Sequence, residues 1–258
     1  MTVLEAKNLS IGYGSVAVAS GLSLSVSAGS VTCLLGPNGV GKTTLFKTLL
    51  GLLPPLAGQV HVDGKDLAQL DRQGIARHIA YVPQAHSADF AYTVLDLVVM
   101  GRTAYLGAFN APRKADYDVA MAALDRLGIV SLAGRDSTRI SGGQRQLAFI
   151  ARALAQQARI IMMDEPTASL DLGNRILVLD TVRALAHEGL AVVLSTHEPE
   201  QAFIVADQVA ALGRQSRFVA GAVREILTSQ ELSRLYGVAL GIEQTPSGRF
   251  VVGPAPSH

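Results

Sequence analysis

The stretch GPNGVGKTT, residues 36–44, constrains this chain more than any other. It lies between VTCLLG, which has the character of a buried strand, and KTTLFKTLLGLL, which has that of a helix. Gly36, Gly41, Lys42 and Thr43 satisfy the spacing G-x-x-x-x-G-K-[ST], the form of a loop that wraps phosphates between a strand and a helix. Glycines let the backbone turn its N–H groups inward with no Cβ in the way. The helix that follows points its N-terminus at the same anion. In such a loop Lys42 reaches the β- and γ-phosphates and the Thr43 hydroxyl sits on Mg²⁺. Pro37, Asn38, Gly39 and Thr44 complete the cradle. The four fixed positions match by chance in on the order of 1% of chains this long. The flanking strand and helix therefore carry as much weight as the letters, and they disfavour an ordinary glycine-rich turn.

Beyond the loop, short runs rich in Val, Ile and Leu alternate with longer amphipathic ones. RIIMMD and LAVVLST have the look of further strands, Leu172–His187 of a helix, and PEQAFIVA of a helix start. That alternation predicts an α/β fold with a mostly parallel sheet. The first ~30 residues differ: VLEAKNLSIGY and LSLSVSAG alternate in short segments that suit antiparallel hairpins. The stretch from about Ala88 to Ala158 is expected to be mainly helical, an inserted lobe. The main domain is expected to span 1–240, with 241–258 a short C-terminal extension whose tail GPAPSH is frayed.

Composition narrows the partners. With 258 residues the chain can bury a sizeable core as one large domain or two small ones. Its 22 basic and 21 acidic residues nearly cancel, and no long basic run suggests nucleic acid. The single cysteine, Cys33, has no internal disulfide partner and suits a buried strand position. No positive region followed by an apolar run marks a signal peptide. No apolar run approaches the roughly 20 residues that span a bilayer. Yet 49% of the residues are hydrophobic. A buried parallel sheet explains that, as does an apolar surface kept for a partner.

IIMMDEP, residues 160–166, is an apolar strand ending in two acids. Asp164 would face the crevice at the strand's C-terminal end, where open α/β sheets bind ligands. It suits a magnesium role through the ion's water shell. Glu165, one residue on, could polarise an attacking water as general base. The plainer alternative is an Asp-Glu pair that caps a turn before Pro166. At this point kinases, small GTPases and motors all stay open.

RISGGQRQLAFIARAL, residues 139–154, narrows the choice. Ser141 is a good helix N-cap, and Gly142 and Gly143 expose N–H groups at the helix start, a second anion site. One nucleotide seldom needs two such nests from one chain. Two copies could use them, each offering Ser141, Gly142 and Gly143 to the γ-phosphate on the other's loop. This stretch, with Gln144, resembles the signature motif of the ABC ATPases, Ile140 standing where leucine is usual. The remaining motifs of that family follow in order. Tyr13 resembles the aromatic that stacks on adenine, and Gln84, in AYVPQ, the glutamine that senses Mg²⁺ and links to the membrane partner. Ser169-Leu170-Asp171 resembles the D-loop, and His197, in STHEP, the histidine that contacts the γ-phosphate. The resemblance covers nearly the whole chain. It implies a P-loop NTPase (RecA-like) core with an N-terminal antiparallel β-subdomain and an inserted α-helical subdomain. It also implies ATP and Mg²⁺, with Thr43, Gln84 and Asp164 around the metal and Glu165, His197 and Gln84 in catalysis.

TVLDLVVMGRTAYLGAF (93–109), ASLDLGNRILVL (168–179) and LYGV (235–238) resemble the ATPases of metal-chelate importers, which serve ferric siderophores, haem, cobalamin and metal oxyanions. That resemblance implies a homodimer on the cytoplasmic face of the membrane, separate permease subunits, and a substrate-binding protein beyond them. Val94, Leu95, Val98, Val99 and Met100 are either permease contact or lobe core. The ATPase of an exporter, and a soluble ABC protein of DNA repair or translation, are the rival readings.

Overall fold

A computed structural model describes residues 1–84, 92–106, 110–214 and 217–255. The chain divides into two compact units, Met1–Gln69 with Val182–His258, and Leu70–Thr181. The expected lobe start at Ala88, residues 107–109 of the importer-like stretch and the last three residues of the tail lie outside the described residues.

The first unit opens with β1 (Thr2–Tyr13) and β2 (Val16–Ser27), an antiparallel pair joined by a two-residue turn. The strand β3 (Val31–Leu35) and helix α1 (Lys42–Leu49) follow, then β4 (Ala57–Val62) and β5 (Lys65–Asp66). Strands β2, β1, β4 and β5 form a four-stranded antiparallel sheet in that order, so the N-terminal hairpins expected from sequence are present.

The second unit contains α2 (Arg72–His78), β6 (Ile79–Val82), α3 (Val94–Val99), α4 (Lys114–Arg126), α5 (Gly142–Ala155) and β7 (Ile160–Met163). Strands β6 and β7 run parallel. The three helices α3, α4 and α5 pack on one another. On α5 the buried positions Gly143, Gln146, Leu147, Ile150 and Ala151 recur at three- and four-residue spacing, the stripe of a helix with one apolar face. Helix α6 (Leu172–His187) then leads from the second unit back into the first.

The importer-like stretch 93–106 serves mainly to lock the helical lobe. Val94, Val98 and Val99 are buried, so these three belong to the lobe core and not to an exposed contact; Met100 alone of the five is exposed. A Cβ on Gly101 would collide with the carbonyl oxygen of Arg152, so α5 passes too close for a side chain there. Buried Arg102 donates to Asp116 Oδ1 at 3.1 Å, to the Ala155 carbonyl at 2.9 Å and to Gln157 Oε1 at 2.7 Å. Its guanidinium also lies over the Tyr105 ring, 4.1 Å from the centroid. A buried charge is tolerated when it is paired and hydrogen-bonded in this way.

The first unit resumes with β8 (Ala191–Thr196), α7 (Pro199–Val205), β9 (Gln208–Leu212), β10 (Phe218–Ala222), α8 (Val223–Ile226) and α9 (Ser229–Tyr236). Last comes the hairpin β11 (Leu240–Gln244) and β12 (Phe250–Pro254). Within this unit β3 lies between β8 and β9, parallel to both, and β10 closes against β9 antiparallel. Every residue of β3 and β8 is buried, the mark of parallel strands covered on both faces. Each fully buried Val or Leu there contributes about 1.5–3 kcal/mol. The architecture is a RecA-like P-loop core with an N-terminal antiparallel β-subdomain and an inserted helical subdomain.

Candidate functional site

The loop of residues 36–41 leaves the C-terminal end of β3 and delivers the chain into α1. Two constraints explain its glycines. A Cβ on Gly36 would strike the carbonyl oxygen of Leu212, at the end of β9. Gly41 has φ 108°, and a Cβ there would lie 2.6 Å from Val18 Cγ1. Both close approach and backbone conformation thus demand glycine. The loop is wound so tightly that Lys42, 6% exposed, folds over it. Its Nζ donates to the Gly36 carbonyl at 2.6 Å and to the Pro37 carbonyl at 3.0 Å. Thr44 faces inward, and its carbonyl accepts from the Thr48 hydroxyl at 3.0 Å. Thr43 is exposed at the first turn of α1, with Asn38 and Gly39 exposed at the loop's tip. Beneath, Cys33 is fully buried, and burial pushes its thiol up to about 12 although the Lys42 charge draws it down. It stays a neutral core thiol, as expected.

In the second unit Asp164 lies one residue past β7, half-buried, and its N–H donates to the Val82 carbonyl at 2.9 Å. Burial and the Asp164 charge both push the Tyr81 phenol above its usual range. Glu165 then turns into the left-handed region at φ 43°, and Ser169 does so again at φ 63°. Between them the Ala168 N–H closes a turn on the Glu165 carbonyl at 3.1 Å. A non-glycine residue held there costs on the order of 1–2 kcal/mol. Backbone strain of this kind concentrates at functional sites. It sets the backbone of Glu165 apart from that of Asp164 just before it. Gln84 is half-buried just after β6.

Ser141 caps α5. Its hydroxyl accepts from the Gln144 N–H at 3.2 Å, and Gln144 Oε1 accepts from the Ser141 N–H at 3.1 Å. This reciprocal capping box fixes the helix start. Gln144 thereby also braces the helix start. Ser141 and Gly142 face solvent; Gly143 is buried against Asn174. Asn174 is held in turn by Asp171, whose Oδ1 accepts the Asn174 backbone N–H and whose Oδ2 accepts its side-chain amide, each at 2.8 Å. Those bonds hold the Asp171 carboxyl below its ordinary range, the backbone one most. The signature and D-loop segments are therefore joined through Asn174, a residue whose role was not foreseen. The visible signal was its place three residues after Asp171, a helix-capping spacing.

In the first unit Tyr13 ends β1 with 52% of its surface exposed, open for stacking. His197 follows β8 and is exposed; its carbonyl accepts the Tyr236 hydroxyl at 2.7 Å. Tyr236 lies in LYGV (235–238), and nothing local in the sequence ties it to His197.

The donor chemistry suits a hard divalent ion that keeps several waters and shares its shell with phosphates. Among the described residues no group of three or more His, Cys, Asp or Glu forms a protein cage. Thr43 at the loop mouth and Asp164 past β7 are oxygen donors of the type such an ion takes. Among the described residues no helix is long and apolar enough to cross a membrane.

The family model for "ABC transporter" matches residues 19–168. An uncharacterized ABC transporter ATP-binding protein of Haemophilus influenzae is 44% identical, over 91% of this chain and 89% of that protein. The molybdate import ATP-binding protein MolC of the same organism is 40% identical, over 86% and 83%. Among solved structures, an inward-facing ABC transporter described as of metal-chelate type has a chain 37% identical, with a TM-score of 0.87 over 100% of this chain and 98% of that one. With its loop, signature helix and strand-end acids in the family's order, the chain belongs to the ABC transporter family, among its ATP-binding subunits.

Proposed function

We propose that two copies of this chain bind and hydrolyse ATP between them and so drive uptake of a metal chelate or metal oxyanion through separate permease subunits. The observation that carries the reading is the pair of glycine-bearing helix starts. One is the loop 36–44 under Lys42; the other is Ser141 and Gly142, exposed at the start of α5. Both suit the same anion, and one chain needs only one for its own nucleotide. Similarity to a molybdate import protein and to a metal-chelate type transporter supports the substrate class. A substrate-binding protein beyond the membrane would deliver the cargo, and the ATPase would sit peripherally on the cytoplasmic face.

Lys42 exchanges the Gly36 and Pro37 carbonyls for β- and γ-phosphate oxygens, a stronger partner for an ammonium. The N–H groups of Gly39, Gly41, Lys42, Thr43 and Thr44 hold the phosphates, with Pro37 and Asn38 shaping the loop, and Tyr13 stacks on adenine. Thr43, Asp164 and Gln84 would hold Mg²⁺, which neutralises phosphate charge. Glu165 takes a proton from a water as its oxygen bonds to the γ-phosphorus. The bond from that phosphorus to the bridging oxygen breaks, giving ADP and phosphate. His197 contacts the γ-phosphate in that step. Ser141, Gly142 and Gly143 close on the γ-phosphate of the partner copy, with Gln144 and Asp171 also at the nucleotide and keeping that surface in shape.

Transport by the intact complex, with molybdate, ferric chelates, haem and cobalamin offered in turn, tests the reading. ATP-dependent uptake of one of them, abolished by Lys42→Ala, is the expected result. ATP-dependent export, or ATPase activity in a chain that never co-fractionates with membranes, would favour the rival readings.

A further inference from the structure

Tyr236 closes α9, and its ring is half-buried. Its hydroxyl reaches back 39 positions to the carbonyl of His197, at 2.7 Å. The same short connection is pinned from its other side. The Glu198 N–H donates to the Thr196 hydroxyl at 3.1 Å, and that hydroxyl donates to Gln201 Oε1, also at 3.1 Å. His197 thus sits at the head of a connection whose backbone is fixed before and after it.

The support behind Tyr236 is extensive. Glu231 on α9 takes both ends of the Arg217 guanidinium, at 2.7 and 2.6 Å. Ser233 Oγ accepts the Leu240 N–H at 2.9 Å and Ser229 Oγ the Ile242 N–H at 3.0 Å, which sew β11 to α9. The returning β12 then reaches α7. The Val252 N–H donates to Glu200 Oε1 at 3.0 Å, and the Phe250 ring stacks on Phe203 at 4.6 Å. The C-terminal segment therefore grips the His197 connection through α9 and, independently, through α7. A cavity of about 340 Å³ lies between them, lined by His197, Glu198, Pro199, Glu200, Tyr236 and Leu240 among others. Burial pushes the Tyr236 phenol upward, so it stays a neutral donor through the neutral range.

We propose that Tyr236 is a positioning residue for hydrolysis: its hydroxyl fixes the His197 carbonyl, and the C-terminal helix and hairpin thereby hold the histidine where it meets the γ-phosphate. This rests on the role given to His197 above. It also assigns a purpose to the 235–238 stretch and to the C-terminal hairpin, to which the proposed function gives no other role.

The test is a double-mutant cycle on the ATPase activity of the whole chain, with Tyr236→Phe, His197→Ala and both together. Tyr236→Phe keeps the ring and removes one hydrogen bond. It should lower kcat about tenfold, with KM for ATP changed less than twofold, the scale one lost hydrogen bond can reach. In the His197→Ala background the same substitution should change kcat less than twofold. An equal fractional loss in both backgrounds, or parental kcat in Tyr236→Phe, overturns the proposal. If His197→Ala itself hydrolyses at the parental rate, the histidine assignment fails and takes this one with it. A readout independent of turnover is the His197 imidazole ¹H–¹⁵N signal. A non-hydrolysable ATP analogue should shift it in the parent and shift it at most half as far in Tyr236→Phe; an unchanged shift overturns the positioning role.

Discussion

Gly143, at the start of α5, lies so close to Asn174 that a Cβ on the glycine would overlap the Asn174 side chain, and Asn174 is clamped by both carboxylate oxygens of Asp171. For Asn174 to yield, its side chain would have to give up the bond to Asp171 Oδ2. The two helix starts are thus fitted to one another. The second glycine of the motif, buried here and not exposed as the sequence suggested, is required by this packing.

Gly143→Ala should therefore destabilise the protein by about 1–3 kcal/mol, the usual cost of overpacking a fitted contact. Gly142→Ala should behave differently. Its Cβ would meet Leu170 Cδ2 at 3.5 Å, ordinary contact distance, and its stability should change by less than about 0.5 kcal/mol. Urea unfolding of the two variants side by side checks this. Equal losses would mean that Asn174 moves aside freely.

Glu231 offers a pH test. The Arg217 guanidinium bonded to it holds its carboxyl below the ordinary range. A carboxylate with a depressed folded-state pKa contributes stability above its unfolded value, about 4.3 for Glu, and loses that contribution as pH falls through the folded value. Glu231→Gln should lower Tm by about 2–4 °C at pH 7, modestly because Arg217 is partly exposed. The gap between parent and variant should narrow as pH falls below about 4.3. A gap that stays constant from neutral to acid pH would remove the ion pair as its cause.

The site was more legible in this sequence than its supports. Gly36, Lys42 and Asp164 are short-range chemistry: a strand, a turn and a helix start are local, so spacing alone finds them. The positive φ of Glu165 and Ser169 left no mark, because neither is glycine and the surroundings impose the conformation. Strands β4, β9 and β10 and the terminal hairpin also went unseen. AGQVHV and FVAGA are short, weakly patterned and glycine-bearing; AGQVHV pairs with β1, about fifty residues earlier, and FVAGA with β9 just before it, and neither pattern announces its partner. Val98 and Val99 look the same in sequence whether they face a neighbouring helix or a partner; only packing assigns them to the core. The bond from Tyr236 to His197 spans 39 residues and follows no periodicity at all.

Lys42→Ala should lower ATP turnover by about 10²–10³-fold or more, the scale for losing one donor aimed at developing charge. ATP binding should weaken as well, because the lost ammonium is the cation folded directly over the loop. Near-parental turnover would remove the loop from the mechanism.

On the proposed arrangement Ser141→Arg should leave ATP binding to the isolated subunit largely intact and block turnover, since Ser141 is exposed and would meet the partner's nucleotide. Mixing it with Lys42→Ala gives pairs with at most one intact composite site. Fluorescent-nucleotide binding and phosphate release, measured on each variant alone and on the mixture, separate the two effects. Normal hydrolysis by Ser141→Arg alone would exclude the cross-copy arrangement.

The sharpest outcome concerns Glu165. Replacing it with glutamine keeps shape and hydrogen bonding but removes the carboxylate proposed to accept the proton. Binding should survive, because Lys42 and the loop N–H groups are untouched. Closure should survive too, because Ser141, Gly142 and Gly143 still meet a γ-phosphate. Only the bond-breaking step should slow, by roughly 10²–10⁴-fold. Glu165→Gln should then accumulate as an ATP-bound dimer, seen as an earlier gel-filtration peak with ATP and Mg²⁺ than with ADP. Asp164→Asn should part from it and lose metal-dependent activity without trapping a dimer. Because Glu165 holds a left-handed backbone conformation, Glu165→Gly is a further control: relief of strain should leave its melting temperature at or above the parent's, while turnover falls as in Glu165→Gln. If Glu165→Gln stayed monomeric with ATP and hydrolysed at the parental rate, with a matching thermal melt, both the base and the closed-dimer mechanism would be wrong.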